Sequence, residues 1–598
     1  MVMPLPQGES FIELDVRDRI RALLDLGVVS ELLDPSERIN SPWLARQGIA
    51  AQADDGVVVA QGRIAGNKTV VLAIDGSFQG GSMGEVGGAK IAAALELAAE
   101  DNRRGVPTRA VLLLESGGVR LQEGNLGLAA VADIHAALVD LRRYQPVVGI
   151  VAGPIGCYGG MSLAAGLCSY LIVTREGRLS LNGPAVIEQE AGIDEFDSCD
   201  KPFIWRLTGG EQRHGSGLAD ELVADDINEV RAALLDCLQR GLPLIHRSER
   251  CNGFVRVLGA LDPEARLDPA DMRVWLKKAM DESDIEEPGL VEQVGNEPDH
   301  GAFVPSSVAA VASRGAAWLA GLTTDAPARP GFPDSVRVID ALLDGEPVRY
   351  ITVVPDPANR FPRARHGEMG LTEGWHLARA IRQCEMQDGV PMGDDADHDP
   401  MGERLAVTGA AGVPRRRPIV AIIDVPSQAY GRLEEGMGLH QSLTSIVDAG
   451  AQARLAGHPF IGFIVGQALS GAFLALGCQA NRLIALRDSG VQVQAMGKAS
   501  AARITQRTIE QLDALAVPVP PMAYDIDSYA SLGMLWQTME VDNADQPTAQ
   551  DLAQAKTLLS QAIADIRADP RRDLSDRLGA PNRQASVRVR RRMQELWR

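Results

Sequence analysis

Four short glycine-bearing turns carry the residue types and positions that could do chemistry in this chain. Ser116-Gly117-Gly118 closes an apolar run (AVLLL, 110–114), and Cys157-Tyr158-Gly159-Gly160 opens onto a helical pattern that begins near Met161. In the second half, Pro426-Ser427-Gln428-Ala429-Tyr430-Gly431 follows IVAIIDV (419–425), and Ser470-Gly471-Ala472 sits at the start of another helical pattern. Glycine at a strand end leaves backbone N–H groups uncovered by side chains, and amides at a helix start carry partial positive charge that attracts anions. Two such turns on adjacent strands can converge on one oxygen. That is an oxyanion hole suited to a thioester enolate, from which the loss of one donor costs about 3–4 kcal/mol. Singly, each turn is better explained as a tight strand–helix connection; as a duplicated set they favour chemistry. An enolate must next be protonated, and Tyr158, Tyr430 and Glu85 are placed to do so, as is a water. Arg120 and Lys498 could hold anionic groups or be ordinary structural cations.

These turns recur inside a longer repeat. TVVLAIDGSF (69–78) enters the loop QGGSMGEVGG (79–88) and then the helical pattern AKIAAALELAAE (89–100). RYITVVPDPA (349–358) likewise enters NRFPRARHGEMG (359–370) and then LTEGWHLARAIRQ (371–383). Both loops contain Gly-Glu-apolar-Gly, at 84–87 and 367–370. AVLLLESGGVRLQEG (110–124) parallels IVAIIDVPSQAYGRLEEG (419–436), and PVVGIVAGPIGCYGGMSLAAG (146–166) parallels PFIGFIVGQALSGAFLALG (459–477). Strands alternating with helical patterns predict an α/β fold of two tandem homologous domains built from parallel units. A chain of 598 residues needs more than one core in any case. The acidic, Pro- and Gly-bearing stretch 284–307 reads as a linker, which places one domain at 1–283 and the other at 308–598.

The net charge of −20 argues against nucleic acid or an anionic membrane as a partner. The tail runs against this sign, with ten arginines between 567 and 598. It reads as a solvated helix end or as a basic patch that meets an acidic partner or a phosphate. Seven cysteines (157, 168, 199, 237, 251, 384, 478) make no CxxC pair and no Cys/His ligand spacing, so reduced thiols and no metal are expected. The start lacks a basic, then apolar, leader pattern and no run of 18 apolar residues occurs; a cytoplasmic, soluble protein is expected. The polar stretch 388–404 reads as a surface insertion.

GGSMG with GGAK, ESGGVRLQEG and the GPIGCYGGM turn resemble the N-terminal half of biotin-dependent acyl-CoA carboxyltransferases; DVPSQAYG and VGQALSGAF resemble their C-terminal half. The stronger resemblance is to biotin-independent malonate decarboxylase, with residues 10–275 similar to its beta subunit and 312–540 to its gamma subunit. VVPDPANRFPRARHGE, DVPSQAYGR and AMGKASAARIT mark the gamma type. Those subunits are commonly separate chains, and the insertion and basic tail fall outside the resemblance. It implies a crotonase-like fold with ββα-type superhelical repeats and decarboxylation of a malonyl thioester to the acetyl thioester in malonate catabolism. The malonyl group would ride on an acyl carrier protein with a dephospho-CoA-derived arm, loaded by an acyltransferase. No tightly bound cofactor, biotin or metal is implied, and a homo-oligomer is left open. Carried over by motif position, backbone donors near Gly117, Gly118, Gly159 and Gly160 would hold the thioester oxygen. Those near Ser427, Gln428, Gly471 and Ala472 would line the wall facing the departing CO2. The loop Gly81, Ser82, Met83 and Gly84, with Arg120 and Lys498, would bind the substrate.

Three rival readings stand beside this one. A biotin-dependent carboxyltransferase needs a biotinyl lysine, whose Ala-Met-Lys-Met context is absent; KKAM (277–280) has the wrong order. A serine hydrolase could use Ser82, since residues 80–84 match G-x-S-x-G, but GEVGG separates that serine from the helical pattern. A scaffold that only binds a carrier would not need paired turns.

Overall fold

The computed structural model describes residues 8–27, 29–281, 313–324, 326–389 and 415–598. The expected linker 284–307 and nearly all of the insertion 388–404 lie outside them. The first sheet runs in chain order: β1 (Ser30–Leu32), β2 (Val57–Ile64), β3 (Asn67–Ile74), β4 (Arg109–Leu113), β5 (Val147–Val151), β6 (Tyr170–Thr174), β7 (Glu221–Val223). The pairs β1–β2 and β2–β3 are antiparallel, and β3 to β7 are parallel. The second sheet contains β8 (Val336–Leu343), β9 (Glu346–Val353), β10 (Ile419–Val425), β11 (Phe460–Leu469), β12 (Arg482–Leu486), β13 (Gln492–Gln494) and β14 (Gln537–Met539). Its order is β14-β12-β11-β10-β9-β8, with β13 beside the far end of β11; only β8–β9 is antiparallel.

The repeat extends to the hairpin turns. β2–β3 turns through Ala65 and Gly66, and β8–β9 through Asp344 and Gly345, all four at positive φ. Two-residue turns of that kind match the right-handed twist of paired strands. In β3, Val70 and Leu72 enter one apolar cluster and Val71 and Ala73 another, the alternation of a sheet covered on both faces. The outer cluster is closed by helices Val16–Leu23 and Ile227–Arg240. The inner one continues without a break through helices Glu85–Arg103, Gly124–Leu141 and Leu439–Leu455 into the second sheet. Among the described residues one helical stretch, Leu121–Leu141, is long and apolar enough to cross a membrane, and 89% of it is buried inside the protein.

Two expectations change here. The helix after the first loop begins at Glu85, so GEVGG is its first turn rather than loop. Gly88 is there because a Cβ would stand 2.5 Å from that of Ala130. The structural equivalence is also three residues away from the Gly-Glu-apolar-Gly match. Met83 bridges Val119 and Met369 bridges Gln428, which pairs 83–84 with 369–370.

The basic tail is not a free helix end. Helix Gln584–Leu596 packs on helix Glu85–Arg103 of the first half. Arg583 meets Asp133 at 2.5 Å, Arg590 meets Glu96 and Asp133 at 3.0 Å each, and Arg592 meets Glu37 at 2.8 Å. Trp597 Nε1 donates to Asp101 at 2.9 Å. The acidic partner is the chain's own first half. Arg583→Ala leaves the buried Asp133 carboxylate with Arg590 alone, an expected cost of about 3 kcal/mol. The measurement is the thermal or urea midpoint, expected to fall in Arg583→Ala and to recover partly in Arg583→Lys.

Candidate active site between the two halves

In the first half, the turn after β4 is zipped to the loop before helix Glu85–Arg103. Gly117 N donates to Gly80 O (2.9 Å), Ser116 Oγ to Gly81 O (2.8 Å), Met83 N to Gly118 O (2.7 Å) and Arg120 N to Met83 O (2.9 Å). Gly118 N donates to Ser116 Oγ at 3.1 Å, and Gly159 N to Leu181 O at 2.9 Å. Three amides expected to point at a ligand, those of Gly117, Gly118 and Gly159, are therefore spent inside the protein. The two turns do converge. A Cβ on Gly159 would stand 3.0 Å from Gly118 Cα and 3.8 Å from Val119 N. Gly159, at φ +57°, turns the chain so that helix Gly160–Leu167 starts at this contact. Val119 N and Gly160 N have no acceptor among the described residues, and they are the donors this pair of turns offers. Gly160 was among the expected donors, although the helix was expected to begin near Met161 and begins at Gly160 itself. Val119 carries no sequence signal of its own, since the glycines before it are what mark the turn.

The second half repeats this geometry. Met369 N donates to Ser427 O (3.0 Å) and Ala429 N to Met369 O (2.9 Å), as Met83 does with Gly118 and Arg120. Gln428 thus occupies the place of Val119. Ser470, at φ +61°, occupies the place of Gly159, and Gly471 that of Gly160. Here the amide of Gly471 is taken: it donates to the side-chain Oε1 of Gln428 at 2.9 Å. Ala472 is fully buried behind it.

The two sets of turns meet. Gly159 donates to Leu181 O, and Leu181 Cδ1 lies 3.4 Å from where a Gly471 Cβ would be; Leu474 similarly abuts Gly160. Asn182, next in the chain, accepts from Gln428 Nε2 (2.6 Å) and donates to Ala429 O (3.1 Å). The buried carboxylate of Glu435 accepts from Ser180 Oγ (2.7 Å), Leu181 N (3.0 Å) and Asn182 N (2.7 Å). Burial pushes its pKa up, and these hydrogen bonds act the other way.

The Carboxyl transferase domain family matches residues 13–287, and the Malonate decarboxylase gamma subunit family matches 400–597. The malonyl-S-ACP:biotin-protein carboxyltransferase MADC of Malonomonas rubra is 34% identical over 283 residues, which are 45% of this chain and 89% of that protein. The chain belongs to the malonate decarboxylase branch of the carboxyltransferase family. MADD of the same organism is 32% identical over 182 residues, 30% of this chain and 56% of that protein. A chain of the Pseudomonas malonate decarboxylase hetero-tetramer, solved in complex with malonate, is 65% identical; the match covers 45% of this chain and 97% of that one, with a TM-score of 0.44. Beta-type and gamma-type units stand here in one polypeptide. The gamma match runs through the basic tail, so the tail belongs to the family pattern, contrary to expectation.

Several predicted site residues of this family member have structural work instead. Arg120 is 1% exposed, paired with Asp55 and Glu123 at 2.8 Å each, and its Nη2 holds Ser82 O at 2.9 Å. It sets the loop 81–84 rather than meeting an anion. Burial, with the Asp55 charge adding to it, pushes Glu123 up to about 7, while Arg120 opposes. Glu85 is buried, and its carboxylate accepts from Trp43 Nε1 (3.1 Å), Ser586 N (2.9 Å) and Ser586 Oγ (3.0 Å). Those bonds tie the tail helix down and take Glu85 out of the proton-donor role. Gly81 and Gly84 are glycines because a Cβ would strike Glu115 O (2.1 Å) and Glu123 Oε2 (2.0 Å). Ser82 is half-buried, and no histidine among the described residues hydrogen-bonds it.

Of the remaining candidates, the two tyrosines belong to the turns themselves. The Tyr430 phenol receives Gln428 Nε2 at 3.4 Å; burial raises its pKa, helped by Glu190, while Ser470 and Ser427 beside it act the other way. The Tyr158 hydroxyl is buried and has no hydrogen-bond partner among the described residues, and its pKa is also raised by burial. Lys498 is partly exposed, paired with Asp513 at 2.8 Å, on helix Lys498–Ile504. Gln189 of the first half reaches Ser500 of that helix at 3.0 Å.

His135 supports the first hole from behind, with Nε2 2.8 Å from Gly160 O. It is fully buried, and burial lowers its pKa from 6.5 to about 4. As pH falls below 6.5 the unfolded chain takes up a proton that the folded one refuses, so stability drops until the folded histidine titrates near 4. The acid limb of a stability–pH curve between these values is expected to flatten in His135→Gln.

Proposed function

We propose that this chain releases CO2 from malonate held as a thioester on an acyl carrier protein, leaving the acetyl thioester. The observation that carries the reading is the open pair of amides, Val119 and Gly160, where two touching turns meet beside the second half of a malonate decarboxylase family member. The thioester oxygen is received by these two N–H groups. The carboxylate, held out of the thioester plane, leaves as CO2, and the charge that develops on the oxygen meets donors already in place. The loop 81–84, positioned by Arg120, flanks the thioester, and Lys498 stands on the second half's helix for an anionic part of the arm. Tyr158 and Tyr430 are both protonated at neutral pH because burial raises their pKa values, so either can return a proton to the α-carbon.

The arm is taken to be the dephospho-CoA-derived group of the carrier, loaded by an acyltransferase partner, in the cytoplasm. The beta-type unit is assigned to 1–283 and the gamma-type unit to 308–598. Neither biotin nor a metal has a step in this scheme. A second reading is specifically favoured by the names of MADC and MADD, both biotin-protein carboxyltransferases: this chain would pass the carboxyl group to biotin. The purified chain is expected to release CO2 from malonyl carrier protein, without added biotin and at an unchanged rate with avidin. Release that appears only with a biotinyl acceptor would replace the decarboxylase with the transferase.

A further inference from the structure

The two halves build the same pair of amides twice; in the first both are free, and in the second Gly471 N is taken. In the first half the residue between the turns is Val119, whose Cγ1 packs towards Gly127 and offers no acceptor. In the second half the same position is Gln428, 6% exposed, and its own carboxamide oxygen sits 2.9 Å from Gly471 N. The orientation of that carboxamide is determined by its neighbours. Asn182 Nδ2 donates to Ala429 O, so Asn182 Oδ1 is the acceptor for Gln428 Nε2, and Gln428 Oε1 is left for the Gly471 amide. A carbonyl oxygen is what an oxyanion hole is shaped to receive.

We infer that Gln428 is an internal ligand of the second hole, closing it to any acceptor that would present a carbonyl there. This rests on the reaction proposed above and adds why the carboxyl group is released rather than passed on. Carboxyl transfer to a cyclic urea such as biotin has a fixed balance. The malonyl thioester loses CO2, its enolate carbon takes the ureido N–H proton, and the ureido nitrogen bonds the CO2. The products are the acetyl thioester and the N-carboxylated urea. Between those events the negative charge lies on the ureido oxygen, which needs its own donors. With Gly471 N bound to Gln428 Oε1, that donor is withdrawn, and CO2 has no acceptor beside it. The enolate is then protonated from the protein or water.

The probe is biotin methyl ester, titrated calorimetrically into the full-length wild-type chain, Gln428→Ala and Gln428→Glu, without any thioester. Wild type and Gln428→Glu, which keeps an acceptor for Gly471 N, are expected to show no saturable binding in the millimolar range. Gln428→Ala is expected to bind saturably, at least about tenfold more tightly than the wild-type limit. With malonyl thioester present, it is expected to form N-carboxybiotin ester alongside CO2. Gln428→Ser is measured as well, in case the alanine variant loses its fold. Saturable binding by the wild type, or folded Ala and Ser variants as indifferent to the ester as the wild type, would overturn the inference. Because binding is read without substrate, a wild type that releases no CO2 would sink the proposed reaction while leaving this test intact.

Discussion

The buried carboxylate of Glu435 is the contact on which the geometry between the halves depends. It belongs to the second half, yet all three of its hydrogen bonds come from the first, from Ser180, Leu181 and Asn182. Each hydrogen bond to a charged group is worth about 1.5–3 kcal/mol net, and a buried carboxylate left without them would be strongly disfavoured. The consequence is positional. Leu181, held by its N–H, presents its carbonyl to Gly159 N, which orients the turn that frees Gly160 N. Asn182, held in the same way, presents its side chain to Gln428 and Ala429. One carboxylate therefore places both holes relative to each other.

Duplication explains the architecture, and departure from it explains the chemistry. Hairpin turns, strand order and the Met83 and Met369 bridges are common to both halves. What differs lies at single positions: Val119 against Gln428, and Gly159 against Ser470, which holds φ +61° without being glycine. A non-glycine residue in that region carries backbone strain. It is tolerated here within a dense polar cluster of Tyr430, Ser427 and Gln428. The tail helix adds a second, independent tie between the halves. Its Ser586 caps Glu85 at the head of the helix that follows the substrate loop, so the end of the chain supports the start of the site.

Much of this was legible before any coordinates. Apolar strands followed by glycine turns and helical patterns appeared in the same order twice, and that order is the order of both sheets. The register of the repeat was misread, because Gly-Glu-apolar-Gly is a string of common small residues whereas the true equivalence is a backbone bridge. Arg120 and Glu85 looked like site residues because charge beside a glycine loop suggests a ligand. Both are engaged by residues distant in the chain: Asp55 pairs with Arg120, and Trp43 and Ser586 donate hydrogen bonds to Glu85.

The sequence by itself determined the fold class, the doubling of the unit, the turns that carry the site and the family. Each of these is written in local runs, where apolar periodicity and glycine placement act over a few residues. The tertiary structure alone decided which amides in those turns are free. A backbone N–H is available only if no carbonyl from elsewhere reaches it, and the carbonyls of Gly80 and Leu181 and the carboxamide of Gln428 arrive from other loops and turns of the same half. That competition for hydrogen bonds is settled in three dimensions. It moved the donors to Val119 and Gly160, and it left both of that pair open while Gly471 N in the second half is taken.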